Sequence, residues 1–296
     1  SRGLGDVYKR QGYIGTGDIE IVLETPVSDS FASTITYDTK KDTIYYWYKG
    51  IETDSLIFTL NRDTITKSYD YRLRKAPKDS LSVSFDPKGT LNLSDTLKIS
   101  TNTPIKEYNK DVISIIDKDS MMVPFNIVRE NKNQLQLLFD VFPSDNYIID
   151  FLPGAITDFF DVSNDSISIK LNTRSRVDYG NLSLRIANSP SSPFFIDLLN
   201  QKEIIVRSLY VSEPRGLYRF ENIVPNKYFI RIRVDKNFNG IWDTGDFLNK
   251  KRPEPVFHFP TILDVRANWE LQELINLEKN IVNKTEDSLE KNLIPI

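Results

Sequence analysis

The chain has 296 residues, of which 40% are hydrophobic and 11% aromatic, and its formal net charge is −3. This composition is too apolar for a disordered chain, and the mixed charges form no basic stripe of the kind that binds nucleic acid. The absence of cysteine excludes disulfides and thiolate metal sites, and the single histidine, His258, excludes a metal centre built on several histidines.

The first eleven residues follow no strand or helix pattern. Residues 6–11 read Asp-Val-Tyr-Lys-Arg-Gln, and this segment resembles the translated end of a transposon used to prepare sequencing libraries. We therefore interpret residues 1–11 as an artefact and expect them to pack against nothing. On this interpretation the chain is the C-terminal fragment of a longer protein, and its native N-terminus is missing.

From residue 12 onwards, apolar and polar residues alternate with a period of two, which is typical of half-buried β-strands. Polar turn clusters separate the alternating segments at the spacing found in β-sandwiches. The pattern predicts an all-β chain of tandem β-sandwich domains. The apolar positions of these segments are Ile19, Ile21 and Leu23; Ile44, Tyr46 and Tyr48; Leu56, Phe58 and Leu60; Leu81, Val83 and Phe85; Leu135, Leu137 and Phe139; Tyr147, Ile149 and Phe151; Ile167, Ile169 and Leu171; Leu182, Leu184 and Ile186; and Tyr228, Ile230, Ile232 and Val234.

Two polar segments, 76–79 and 173–178, are the predicted domain boundaries. They define three sandwiches, at residues 12–78, 79–175 and 176–272, the first of which is incomplete if strands lie upstream of this chain. After Trp269 the apolar residues take helical spacing, and residues 273–296 are predicted to form a short helix or a charged tail. A helix that binds a partner is the alternative interpretation of this end. The apolar positions of the helix are Leu271, Leu274, Ile275, Ile281 and Val282.

The second predicted sandwich resembles the SbsA-type bacterial Ig-like domain. The resemblance rests on residues 95–105, DTLKISTNTPI, and on residues 146–158, NYIIDFLPGAITD. Pro104 is expected at a strand end or edge, because proline cannot donate to a sheet ladder. Gly154 is expected in a turn conformation that other residues avoid.

The third predicted sandwich resembles the Cna-B or carboxypeptidase-regulatory type. The resemblance rests on residues 216–228, GLYRFENIVPNKY. Members of this family usually have Pro-Gly where this chain has Pro225 and Asn226. Since asparagine also tolerates the left-handed conformation, the turn is expected to survive at Asn226.

Residues 12–272 as a whole resemble the C-terminal half of the Ig-like-domain lipoproteins of Bacteroidota. The shared features are residues 152–160, 178–182 and 259–260, followed by 265–269. The resemblance implies an exported, lipid-anchored envelope protein that is outer membrane-associated, periplasmic or surface-exposed, with membrane contact only through an N-terminal anchor outside this chain.

The function predicted from these features is that of a noncatalytic structural or binding module, with envelope proteins or glycans as candidate partners. The alternative is the accessory C-terminal region of an envelope enzyme whose catalytic domain lies upstream. His258 lies in the apolar segment VFHFP, and we interpret it as a structural residue beside a strand and not as a catalytic base.

Residues 235–246, DKNFNGIWDTGD, carry the one motif with recognisable chemistry. Oxygen-bearing side chains stand at positions one, three, five, nine and twelve of a calcium-binding loop, and Gly240 stands at position six, where a sharp turn is needed. The seventh residue offers its carbonyl group. The predicted Ca²⁺ ligands are Asp235, Asn237, Asn239, Ile241, Asp243 and Asp246.

Three features of this loop predict weak binding. The last ligand is aspartate instead of glutamate, two ligands are neutral, and a strand instead of a helix precedes the loop. Millimolar affinity is useful outside the cell. The alternative is a β-hairpin in which Asn239 and Gly240 form the turn, while Phe238 and Trp242 pack on the sandwich.

The run Tyr45-Tyr46-Trp47-Tyr48 has the residue types of a carbohydrate-stacking platform. Alternation places Tyr46 and Tyr48 on one face of the strand and Tyr45 and Trp47 on the other. We therefore expect at least one pair to lie in the hydrophobic core.

Overall fold

The structure is a computed structural model, and it describes residues 4–9, 20–25, 27, 29–38, 43–51, 53–62, 65–73, 80–245 and 250–277. Its regular structure is almost entirely β-strand, which confirms the predicted all-β fold of tandem sandwiches. None of the helices in the described part of the chain has the length and apolar character that a membrane span requires. The chain forms two compact units: unit 1 comprises Ser1–Leu91, Thr96–Asp140 and Asn146–Asn172, and unit 2 comprises Asn92–Asp95, Val141–Asp145 and Thr173–Ile296.

The first sandwich of unit 1 packs two three-stranded antiparallel sheets, with strand orders β1-β4-β3 and β2-β5-β6. Its core contains Tyr46 and Tyr48 from β4, at 4% and 6% exposure, and Leu56 and Phe58 from β5. The predicted alternation is therefore confirmed in both strands. The six strands are β1 (Leu4–Lys9), β2 (Glu20–Leu23), β3 (Ala32–Asp38), β4 (Thr43–Lys49), β5 (Ser55–Arg62) and β6 (Ile65–Arg72).

Strand β1 corrects the expectation that residues 1–11 pack against nothing. Its backbone pairs with β4, with Leu4 opposite Tyr46 and Lys9 opposite Thr43. The edge of a sheet presents unpaired N–H and C=O groups, and an extended segment of almost any sequence can satisfy them. The origin of this segment stays a prediction, and residues 1–3 and 10–11 lie outside the described residues.

The second sandwich of unit 1 packs the sheet β12-β13-β9-β7 against the sheet β11-β14-β16-β8, and β10 pairs with β15 beside them. Leu97, Leu135 and Phe151 are fully buried between the sheets. Pro104 lies between two strands, as predicted, and Gly154 has a φ of +85°. The strands are β7 (Val83–Asp86), β8 (Gly89–Thr90), β9 (Leu97–Thr101), β10 (Ile105–Tyr108), β11 (Ile113–Ile116), β12 (Phe125–Asn131), β13 (Gln134–Phe139), β14 (Asn146–Phe151), β15 (Ile156–Asp158) and β16 (Ile167–Asn172), and a 3₁₀ helix spans Lys110–Val112.

Unit 2 is a sandwich of the sheets β20-β17-β23 and β19-β18-β21-β22. Its core includes Phe194, Ile196, Ile230 and Ile232. Its strands are β17 (Gly180–Ala187), β18 (Phe194–Leu199), β19 (Ile205–Val211), β20 (Tyr218–Ile223), β21 (Asn226–Val234), β22 (Val256–Val265) and β23 (Glu270–Asn276), and a 3₁₀ helix spans Arg176–Asp178.

The turn between β20 and β21 differs from the prediction. Asn226 was expected in the left-handed conformation, but it is the first residue of β21. Asn222 has a positive φ of +53°, but it lies inside β20 and not in the turn. It falls where the pairing of β17 with β20 shifts register, between Phe220 and Ile223, as in a β-bulge.

Strand β23 corrects the predicted helix at its beginning, over residues 273–276. Residues 270–276 form β23, which pairs in parallel with β17, from Asn181 opposite Glu270 to Ala187 opposite Asn276. Ile275 is buried in the core of unit 2, whereas Leu274 is 69% exposed. Strand β17 is distant in sequence from β23, so local apolar spacing could not predict that the two strands pair. This pairing overrides the helical pattern. Residues 278–296 lie outside the described residues.

Candidate functional site

The predicted calcium loop connects β21 to β22, which are neighbours in the four-stranded sheet of unit 2. The strand pairing extends to Arg233 and Val256, so the connection comprises residues 235–255. Asn239 and Gly240 lie inside this long loop and do not form the tight turn of the hairpin alternative. Phe238 is 67% exposed, so the expected packing of its ring on the sandwich is also wrong.

Asp235 is placed at the mouth of the loop by the end of β21 and is completely buried. Its backbone N–H donates to the carbonyl of Pro193 at 2.8 Å. Its carboxylate accepts hydrogen bonds from the backbone N–H groups of Asn239, at 3.2 Å, and Gly240, at 2.8 Å. Gly240 has a φ of +78°, which confirms the turn predicted for this glycine. The first carboxylate of the motif therefore folds the loop back over itself.

Three other predicted ligands lie together, because two asparagines donate to one carboxylate oxygen of Asp243. Asn237 and Asn239 donate their amide N–H groups to Asp243 Oδ2, at 2.5 and 2.8 Å. Each amide oxygen accepts a hydrogen bond from the backbone N–H two residues further along the chain. The Asn237 oxygen accepts from Asn239 at 3.2 Å, and the Asn239 oxygen accepts from Ile241 at 2.9 Å. These successive turns direct alternate side chains toward the inside of the loop. Asp246, the last predicted ligand, lies outside the described residues.

Glu254 holds the candidate loop in place, and the sequence motif does not reveal this role. Its carboxylate accepts backbone N–H groups from Lys236 at 2.5 Å, Asn237 at 3.3 Å and Asp243 at 2.9 Å. Its carbonyl accepts the indole N–H of Trp242 at 3.1 Å. Glu254 therefore ties the beginning of the loop to its end. No motif spacing predicts this role, because Glu254 follows the motif and its carboxylate accepts from backbone N–H groups, which any residue type provides.

Tyr210 is a second residue missed by the sequence analysis. Its hydroxyl donates to Asp235 Oδ2 at 3.0 Å from the strand β19. Burial raises the pKa of Tyr210, and the hydrogen bond and charge of Asp235 raise it further. The phenol therefore stays protonated at neutral pH and keeps its hydrogen bond to the carboxylate.

A buried ion cluster on the same sheet anchors this end of unit 2. Asp197 in β18 is fully buried and accepts hydrogen bonds from Arg231 Nε at 2.9 Å and Arg233 Nε at 2.7 Å. The guanidinium of Arg233 lies over the ring of Phe195, and that ring contacts Tyr210 with centroids 4.8 Å apart. Continuous contacts therefore connect the loop to the centre of the sheet.

The side chains of the loop match the ligand preference of calcium. They offer carboxylate and amide oxygens, which are hard ligands that suit calcium and magnesium better than zinc or copper. In this structure the two amides direct their N–H groups toward Asp243 and their oxygens toward backbone N–H groups. A cation between these side chains would therefore need both amides to rotate. Within the described ranges, no group of three or more His, Cys, Asp or Glu side chains is placed to hold a metal. The described part of the loop thus contains two carboxylates and two amides of the motif.

The remaining candidate residues lie in strands. His258 lies within β22, opposite Arg231, with its side chain exposed. Tyr46 and Tyr48 point into the core of the first sandwich, while Tyr45 and Trp47 are half-buried on the other face. The predicted division of the aromatic run is confirmed.

No protein family and no curated protein matches this chain. Among solved structures, a fragment of native alpha-2-macroglobulin from Escherichia coli is 12% identical, over 61% of this chain and 71% of that chain, with a TM-score of 0.29. A stretch of titin domains is 8% identical over 91% and 99% of the two chains, with a TM-score of 0.21. A backbone pilin of Streptococcus pyogenes is 8% identical over 76% and 65%, also with a TM-score of 0.21.

Proposed function

We propose that this chain is a noncatalytic structural and binding module of an exported, lipid-anchored cell-envelope protein, and that Ca²⁺ bound in the Asp235 loop stiffens unit 2. The observation that carries the proposal is the convergence of Asn237, Asn239 and Asp243 beside the buried Asp235. The proposed classes of partner are envelope proteins and glycans, and the sequence resemblance supports the proposed localisation in the cell envelope.

The residues of the loop have distinct roles in this proposal. Asp235, Asn237, Asn239 and Asp243 supply side-chain oxygens, Ile241 supplies its carbonyl, and Asp246 is the last ligand of the motif. Glu254 and Tyr210 are positioning residues, because they hold the loop backbone and the Asp235 carboxylate through hydrogen bonds. The ion supplies positive charge that offsets the repulsion between the carboxylates of the loop.

Calcium is expected to raise the stability of unit 2 by mass action. At about ten times the Kd, the gain for an ion that binds only the folded state is about 1.4 kcal/mol, which corresponds to several degrees of melting temperature. The measurement is a thermal melt with chelator and with about 10 mM calcium, a concentration chosen for millimolar affinity. The intact chain is used because unit 2 includes the distant segments Asn92–Asp95 and Val141–Asp145.

The matched variant is Asp243→Asn, which keeps the shape of the side chain and removes its charge. We expect the calcium-dependent rise in melting temperature to be absent or much smaller in this variant. Asp264→Asn is the control, because Asp264 pairs with Arg266 on the surface away from the loop. Equal melts of the wild type with calcium and with chelator would contradict the metal site.

A further inference from the structure

Unit 1 contains a cleft of about 1120 Å³. Strands β3 and β4 of the first sandwich line one side, including Tyr45 and Trp47. Residues at the ends of β9, β12 and β13 of the second sandwich line the other side, including Asn133 and Gln134. The volume exceeds the roughly 300–1,000 Å³ of a pocket for a drug-sized molecule. It therefore suits a ligand made of several small units.

The first wall is a preorganised aromatic platform. Tyr45 and Trp47 lie on the same face of β4, with ring centroids 6.1 Å apart and ring planes inclined by 32°. The indole N–H of Trp47 donates to Thr36 Oγ1 at 2.8 Å, and the indole contacts Phe160 edge-on at a centroid distance of 6.3 Å. These contacts fix the indole before any ligand arrives. The spacing of the two rings is close to the length of one hexose unit, and aromatic faces attract the C–H groups of a sugar ring.

The opposite wall carries three amides and one ammonium group, that of Lys132, which donates to Thr34 Oγ1 at 2.7 Å, and Asp38 lines the first wall. Asn131, Asn133 and Gln134 each offer N–H donors and a C=O acceptor, the combination that matches sugar hydroxyl groups. Gln134 is oriented by its hydrogen bond to Ser100 Oγ at 3.2 Å, and Asn133 by its contact with the Thr101 carbonyl at 3.4 Å. These bonds keep the amides in place for a hydroxylated ligand.

We infer that this cleft binds a neutral oligosaccharide of a few units, which stacks on Tyr45 and Trp47 and forms hydrogen bonds with the amide wall. The inference rests on the binding-module part of the proposed function and names its ligand class. An extended peptide could instead add to β3, the edge strand of its sheet. Such a peptide would use the β3 backbone and would leave both aromatic rings without a role, so the observations favour the glycan.

The test combines affinity electrophoresis with tryptophan fluorescence. The intact chain is run through native gels that contain a soluble β-glucan, an α-glucan, a xylan or a mannan. The chain has three tryptophans, so a Trp242→Phe, Trp269→Phe background leaves Trp47 as the only indole reporter. We expect at least one polysaccharide to retard the protein and to shift the Trp47 emission.

Variants then locate the binding. Trp47→Ala is expected to weaken the affinity at least about tenfold, while Trp269→Ala, at an exposed tryptophan outside the cleft, leaves it unchanged. Gln134→Leu keeps a similar volume without hydrogen bonds, and we expect it to weaken glycan binding as well. Thermal melts of each variant establish that it is folded.

Three results would overturn the inference: no retardation by any of the four polysaccharides, binding that survives both Trp47→Ala and Gln134→Leu in folded proteins, or binding of an extended peptide in place of a glycan. The calcium proposal would stand after any of them. Conversely, hydrolysis of a bound glycan would support the cleft and contradict the noncatalytic function.

Discussion

Asp197 is the residue of unit 2 with the most demanding electrostatic environment. Burial alone raises the pKa of Asp197, but hydrogen bonds from Arg233, Ser208 and Arg231 outweigh it, and the net pKa lies below the ordinary value of 3.8. A buried carboxylate is tolerated only when such partners surround it. Removal of Asp197 would leave two arginines, each only about 20% exposed, without their common counter-charge.

Asp197→Ala is therefore expected to destabilise unit 2 by about 3 kcal/mol, near the lower end for a broken buried ion pair because the arginines keep some solvent contact. Asp264→Ala removes an exposed ion pair and should cost about 1 kcal/mol or less. Urea denaturation of both variants measures the difference. Similar costs at the two positions would contradict the importance assigned to the buried cluster.

The same cluster has a defined pH dependence. Because the folded-state pKa of Asp197 is lowered, its charge stabilises the protein above the unfolded-state pKa of about 4, and this contribution is lost as the pH falls through the folded-state value. The stability difference between wild type and Asp197→Ala should therefore narrow below about pH 4. A difference that stays constant from pH 6 to pH 2 would contradict this assignment.

At the scale of elements, strand β23 shows where sequence periodicity stops being informative. Strands such as β4 and β21 alternate so regularly that period two predicts both their existence and their buried face. In β23, Leu271, Leu274 and Ile275 fit a helical stripe, yet the parallel ladder with β17 decides the structure. Pairing partners distant in sequence leave no local signal, so this strand could not be predicted from its own residues.

The observed strand and the helix expected from sequence predict different burial for two neighbouring residues. In β23, Ile275 points into the core and Leu274 points to solvent, whereas a helix would place both on the apolar stripe. Ile275→Ala is expected to cost about 2–4 kcal/mol, and Leu274→Ala less than about 0.5 kcal/mol. Chemical denaturation of the two variants distinguishes the structures, and equal losses would favour the helix.

The sequence likewise predicts some residues of the candidate site and not others. The motif from Asp235 to Asp246 predicts the loop, the sharp turn at Gly240 and the side chains that meet there, because the ligand spacing is local. Glu254 and Tyr210 could not be predicted. Glu254 lies after the motif and accepts hydrogen bonds from backbone groups within it, and Tyr210 belongs to the distant strand β19. Local spacing predicts the candidate ligands, and only the fold shows which residues position them.

For the molecule as a whole, the described residues form sandwiches, and the two candidate sites lie on a loop and on an exposed strand face. Unit 2 takes in Asn92–Asp95 and Val141–Asp145 besides the residues from Thr173 onwards. A linear division of the sequence cannot assign such short segments to a distant unit. The sandwiches provide the rigid scaffold, and the Asp235 loop is the place where an ion would stiffen unit 2.

Terbium luminescence tests the metal site most directly. Tb³⁺ replaces Ca²⁺ at oxygen-rich sites, and Trp242 lies within the loop, where its excited indole can transfer energy to the bound ion. If the loop binds calcium, the intact chain will show saturable terbium emission under tryptophan excitation. Millimolar calcium will displace this emission, and Asp243→Asn and Trp242→Phe will strongly reduce it. Wild-type emission that is no greater than that of Asp243→Asn and insensitive to calcium would mean that this loop does not bind calcium.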